Sequence, residues 1–219
     1  MNLFLFFLLQ CYFATFPKES EGALKFVEEN ITQFKSSLSD LSPEEQLISI
    51  SIVAPEISQY SDITDFIELR TLFISYRNYG KGDFSVGYFQ MKPSFIEGLE
   101  REIEQNRNLK IKYFDFLPEG DEKNKRATRL KRLSSLDWQL KYLSLFMDVV
   151  KLKTSQMKFS SQTERLRYLA TLYNSGFNIS AKKVAEMQNK KLFPHARKNF
   201  NYADIAEEFY NEFKKRNIL

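Results

Sequence analysis

Three features of this sequence predict an all-α fold. From residue 20 onward, apolar side chains recur at steps of three and four, as in Leu24, Val27, Ile31, Phe34 and Leu38. That spacing gathers them on one face of a helix. The punctuation is helical as well. Ser42-Pro43-Glu44-Glu45 offers a capping hydroxyl, a proline suited to a first turn and a carboxylate able to reach back. Finally, no two neighbouring runs alternate apolar and polar residues as a half-buried strand pair would.

Taken in order, the elements follow from these signals. After Ser42 the apolar run "LISISIVA" predicts a helix buried on most sides and ending near Glu56. "DITDFIELRTLFISYRNYG" reads as a helix stopped by Gly80. A loop, "YGKGDFSVG", leads to Pro93, which opens a helix carrying Phe95, Ile96, Leu99 and Ile103. The polar stretch "FLPEGDEKNK" predicts a surface loop and the place for a subdomain break. A long helix is expected from Ala127 to Lys151, burying Leu130, Leu133, Leu136, Leu140, Leu143 and Phe146. Further helices are expected at 162–174, 180–190 and 202–216, with "LFPHARKNFN" as a loop. Residues 20–219 are expected to form a single α-helical domain, a size that suits one core.

Composition narrows the chemistry. The net charge is +4, from 32 basic and 28 acidic residues, and no basic stripe with interleaved aromatics points to nucleic acid. The basic cluster "KNKRATRLKR" reads as a solvated helix face. One histidine and one cysteine leave no set of nitrogen or sulfur ligands for a metal site. No glycine-rich phosphate loop or nucleophile-elbow serine occurs, so no cofactor is expected. Aromatic residues make up 15%, with 21 Phe and 11 Tyr, enough to fill a core and leave some for a ligand face.

The N-terminus allows two readings. "MNLFLFFLLQCYFATF" holds 14 mostly apolar positions from Leu3 to Phe16, short for a membrane span and suited to a secretion signal. Residues 1–19 are then a signal peptide or a lipoprotein leader, with Cys11 as the lipidation site and a membrane tether. No Lys or Arg precedes the run and no small-residue cleavage pattern follows it. The other reading is a buried N-terminal helix in a cytoplasmic protein.

Three short pieces carry the chemistry: "APEIS" with Glu56, "GYFQMKP" at 87–93, and "LATLYNSGF" at 169–177. In that order they resemble the signature motifs of the lytic transglycosylases and goose-type lysozymes, over roughly residues 45–180. Those motifs are a glutamate ending a buried helix, then Gly-Leu-Met-Gln with a nearby proline, then Ala-Tyr-Asn-x-Gly. Here the second is Gly87-Tyr88-Phe89-Gln90 with Pro93, and the third centres on Tyr173-Asn174 before Gly176. The departures are Pro55 before the glutamate, Ile57 where the family has serine, a longer gap to Gly87, and Leu172 in place of alanine.

The resemblance implies a lysozyme-like helical domain with a catalytic cleft, an exported or periplasmic location, and peptidoglycan glycan strands as partner. Glu56 is the implied catalytic acid. Gly87, Tyr88, Phe89, Gln90, Tyr173 and Asn174 are the implied substrate-binding residues, with Gly87 admitting the sugar close to the backbone. The general chemistry agrees: an acid must protonate the leaving oxygen, and an apolar setting raises a glutamate toward the working range. Most glycosidases add a second carboxylate. In lytic transglycosylases the sugar's own hydroxyl attacks instead, and the glutamate takes that proton back. Lys92 stands where goose-type lysozymes have a second acid, which favours the one-carboxylate route. Asp83 is the residue that could serve as a second carboxylate for a hydrolase.

Each residue also has a plain structural reading. Glu56 could be a solvated helix end, Gly87 a loop marker, and Tyr173-Asn174 a core tyrosine and a helix stop. His195 is expected in a loop and Trp138 in the core. A catalytically inactive lysozyme-like module that binds glycan or an envelope protein is accordingly the alternative function.

Overall fold

A computed structural model describes residues 11–60 and 66–219. The described residues are mostly helical, with one small two-stranded sheet among them. It separates into two compact units: unit 1 is 1–59 with 156–219, and unit 2 is 60–155. The division therefore falls near residues 60 and 155, not at the "FLPEGDEKNK" loop, which lies inside unit 2.

Unit 1 is built around a central helix. Its elements are α1 (Tyr12–Thr15), α2 (Pro17–Glu29), α3 (Ile31–Ser37) and α4 (Pro43–Gln59), then α10 (Gln162–Ser175), α11 (Ala181–Met187), β1 (Lys191–His195), β2 (Lys198–Asn201) and α12 (Tyr202–Lys215). Helix α4 packs against α2, α10 and α12. Its start is the expected capping box: the Glu45 N–H donates to Ser42 Oγ and the Ser42 N–H to Glu45 Oε2, both at 3.3 Å. From Leu47 to Ser58 every side chain except that of Glu56 is buried.

Unit 2 holds α5 (Phe66–Tyr79), α6 (Pro93–Gln105), α7 (Arg107–Tyr113), a 3₁₀ turn (Phe114–Phe116), α8 (Glu122–Leu133) and α9 (Leu136–Lys153). The single long helix expected over 127–151 is two helices, divided at Ser134-Ser135. Inside this unit the Arg129 guanidinium grips the buried Glu100 carboxylate through Nε at 2.9 and 3.0 Å and Nη2 at 2.7 Å. Burial still holds the Glu100 carboxyl above its usual value, although the arginine opposes that shift.

One further expectation changes. "LFPHARKNFN" is a hairpin, with Phe193 opposite Phe200 and His195 opposite Lys198. Both phenylalanines are buried, while Ala196 in the connecting turn takes a positive φ of 54°. Alanine there carries none of the Asn-Gly signal that marks two-residue hairpins, which hid the turn. Of residues 11–19 in the expected leader, 12–15 form α1 and 17–19 open α2, so position 19 lies within a helix. Tyr12 lies in the core of unit 1, and the Tyr12 and Phe13 N–H groups both donate to Glu208 at 3.0 Å. Residues 1–10, with most of the apolar run, lie outside the described residues. Among the described residues no helix is long and apolar enough to cross a membrane.

Candidate functional site

Glu56 sits in the last turn of α4, half-buried where its neighbours are wholly buried. The residue before it, Pro55, has no N–H and so leaves the Ser51 carbonyl without its helical donor. One turn back, the Ile52 carbonyl accepts a hydrogen bond from the Tyr202 hydroxyl at 2.8 Å. That hydroxyl is also within hydrogen-bonding reach of the Glu56 carboxylate.

Tyr173 completes the group. It occupies the last turn of α10, which Ser161 caps at one end and Gly176, at φ 97°, terminates at the other. Its ring stacks on that of Tyr202 at 6.5 Å. Burial first, and the Glu56 charge second, hold both phenols well above the usual tyrosine value, so both remain protonated at neutral pH. Asn174 is exposed at the helix end and lines a small depression together with Tyr202.

A hydroxyl chain runs beside this group. Ser58 donates to the Pro55 carbonyl at 2.7 Å, Tyr12 lies 2.7 Å from Ser58 Oγ, and His195 Nδ1 lies 2.7 Å from the Tyr12 hydroxyl. Serine has one proton and gives it to the carbonyl, so tyrosine must donate to serine and the imidazole must donate from Nδ1. Desolvation, with the charges of Glu19, Glu56 and Glu208 contributing and the Ser58 hydrogen bond opposing, pushes the Tyr12 phenol up to about 12. Burial lowers the His195 imidazole, against the opposing charge of Glu19.

Unit 2 holds the other predicted residues. Val86 and Met91 pair through mutual backbone hydrogen bonds of 3.0 and 3.2 Å, and Gly87-Tyr88-Phe89-Gln90 forms the tight turn between them. Gly87 has φ 72°, and a Cβ there would lie 1.6 Å from Gln139 Nε2. Its glycine requirement is thus met inside the protein, by the fully buried Gln139 side chain. Gln139 Oε1 accepts the Phe89 N–H at 2.9 Å, while Nε2 donates to the Val86 and Leu133 carbonyls. Gln90 adopts a positive φ of 46°, uncommon outside glycine, and its Nε2 donates to the Gly87 carbonyl at 2.8 Å. The half-buried ring of Tyr88 lies 4.5 Å from that of Tyr60. Asp83 accepts from Ser94 Oγ at 2.6 Å and pairs with Lys92 Nζ at 3.4 Å.

The structure therefore joins Glu56 with Tyr173 in unit 1, and Gly87 through Gln90 in one turn of unit 2. Sequence reasoning missed Tyr202, Tyr12, Ser58 and Gln139. Only Asn201 hinted at Tyr202: its side chain caps α12 by accepting the Asp204 N–H at 3.0 Å, which makes Tyr202 the first helical residue. Trp138 is half-buried under the Arg132 guanidinium at 3.9 Å, edge-on to Phe116. Among the described residues no cluster of His, Cys, Asp and Glu is arranged to hold a metal ion.

No family model, curated protein or solved structure matches the chain.

Proposed function

We propose that this chain cleaves glycosidic bonds in peptidoglycan strands by the lytic transglycosylase route, on a lysozyme-like helical architecture, with Glu56 as the single acid–base group. The observation that carries the reading is the meeting of Glu56 with Tyr173. Two of the three motif pieces, far apart in sequence, supply a half-buried carboxyl and a buried phenol within electrostatic reach of each other.

Tyr202 suits that chemistry. While its O–H is donated to the Ile52 carbonyl, its oxygen can accept the proton of a neutral Glu56 carboxyl. After Glu56 gives its proton to the leaving oxygen and the C–O bond breaks, the phenol can turn its O–H to the new carboxylate. The sugar's own hydroxyl then attacks the anomeric carbon and returns a proton to Glu56, with no water consumed. Both protonation states of the acid thus find a partner on one side chain. The pairing of Asp83 with Lys92 and Ser94 supports the one-carboxylate route, since a base for water would have to give up those partners.

The inactive glycan-binding module is the second reading. It draws support from the turn at 87–90, where the Gln139 amide and the Gln90 side chain bond to the turn's own backbone.

Digestion of purified peptidoglycan by wild type and Glu56→Gln, followed by mass analysis, tests the proposal. Wild type is expected to release anhydro-ended fragments, and the variant to lose about 100-fold or more of the rate. Reducing ends would replace the mechanism with hydrolysis through Asp83. Intact strands that nevertheless bind the protein would establish the second reading.

A further inference from the structure

The geometry points to a second binding site in unit 1, independent of the Glu56 chemistry, for a small zwitterion such as a short peptide with free ends. The site is a cavity of about 620 Å³ bounded by β1, β2, α1 and the first turns of α12. That volume falls in the range of small-molecule sites, roughly 300–1,000 Å³.

Its two walls carry opposite charge. Lys191 and Lys198 stand on the hairpin; Asp204, Glu207 and Glu208 stand on α12. The acidic wall is held in place by its own contacts. Arg167 grips Asp204 and Glu207 at 2.7 Å each, and Glu208 accepts the Cys11 thiol at 2.8 Å besides two backbone N–H groups. One arginine against two carboxylates leaves negative charge for an incoming ammonium. Across the cavity, Lys198 pairs with no carboxylate among the described residues, so its ammonium is available to one from a ligand. Beneath the cavity lie the buried rings of Tyr12 and Phe200, edge-on at 5.3 Å, which give it an apolar floor. A peptide of a few residues brings an ammonium at one end, a carboxylate at the other and an uncharged middle, which matches that order.

Calorimetric titration of the full chain with tri-alanine, N-acetyl-tri-alanine and tri-alanine amide tests the site. Free tri-alanine is expected to bind, and blocking either end to weaken it by about tenfold, as the loss of one charge-assisted contact implies. Lys198→Gln should weaken free tri-alanine to a similar degree and not weaken the amide, with the melting temperature confirming the fold. Absence of binding by tri-alanine overturns the site, as does equal binding of the blocked peptides or indifference to Lys198→Gln. None of these readouts involves glycan cleavage, so the outcome stands apart from the fate of the glycosidase proposal.

Discussion

The surroundings of Glu56 in unit 1 and the turn at 86–91 in unit 2 solve opposite problems. In the turn, every unusual choice has an internal cause. Gly87 makes room for Gln139, Gln139 satisfies the Phe89 N–H, and Gln90 bonds back to Gly87. Around Glu56 the partners come from distant parts of the chain. A half-buried carboxyl interrupts an otherwise wholly buried stretch of α4, and two buried phenols surround it. The Tyr202 hydroxyl reaches both the Ile52 carbonyl and the Glu56 carboxylate, so this contact ties α4 to α12 instead of closing within one turn. The comparison teaches that one motif residue can be required by its own turn, while another meets partners brought from distant parts of the chain.

Gly87→Ala would break this contrast most sharply. A Cβ 1.6 Å from Gln139 Nε2 and 2.8 Å from the Leu133 carbonyl, at φ 72°, should cost about 2–5 kcal/mol from overpacking and left-handed strain. Loss of amide-exchange protection within unit 2 is the measure, because two units need not share one unfolding midpoint. Protection that stayed at the wild-type level would leave Gly87 free for a substrate role. Next comes Gln139→Ala, which strips a partner from the buried Phe89 N–H and should cost about 2–3 kcal/mol. Combined with Gly87→Ala it should cost about 1–2 kcal/mol less than the two added, since the alanine gains room.

Tyr202→Phe sharpens the other side. Removing the hydroxyl should cost about 1 kcal/mol in unit 1, and the proposed cleavage should fall about tenfold with little change in substrate affinity. A variant with full activity would exclude Tyr202 from proton handling.

The smallest effect concerns pH. His195 is held below its ordinary value of 6.5 by burial, so the unfolded chain takes up its proton first as pH falls. The stability it contributes is fully present above about pH 6.5 and declines as pH drops toward the folded value. Melting of unit 1 should therefore fall more steeply from pH 7 to 5 in wild type than in His195→Gln.

What the sequence made legible was local. The capping box at Ser42 and the glycine stop at Gly80 each depend on a few adjacent residues, and both are as expected. Hidden from it were features made by distant partners. Gln139 lies in a helical stretch where a glutamine suggests solvent, and its burial follows only from the turn it holds. Tyr202 looks like any tyrosine opening a helix until α4 brings Glu56 to it. The long helix of 127–151 failed for a subtler reason. Its apolar positions continue across Ser134-Ser135, so periodicity alone gave no sign of the break.

The fastening of Tyr12 has a practical corollary for anyone shortening the chain. Beginning it at Ser20 would pull an aromatic plug from beneath the hairpin and strip Glu208 of the donors it collects. Unit 1 would then carry a ring-sized hole and an idle carboxylate, so the first retained residue decides whether its fold survives.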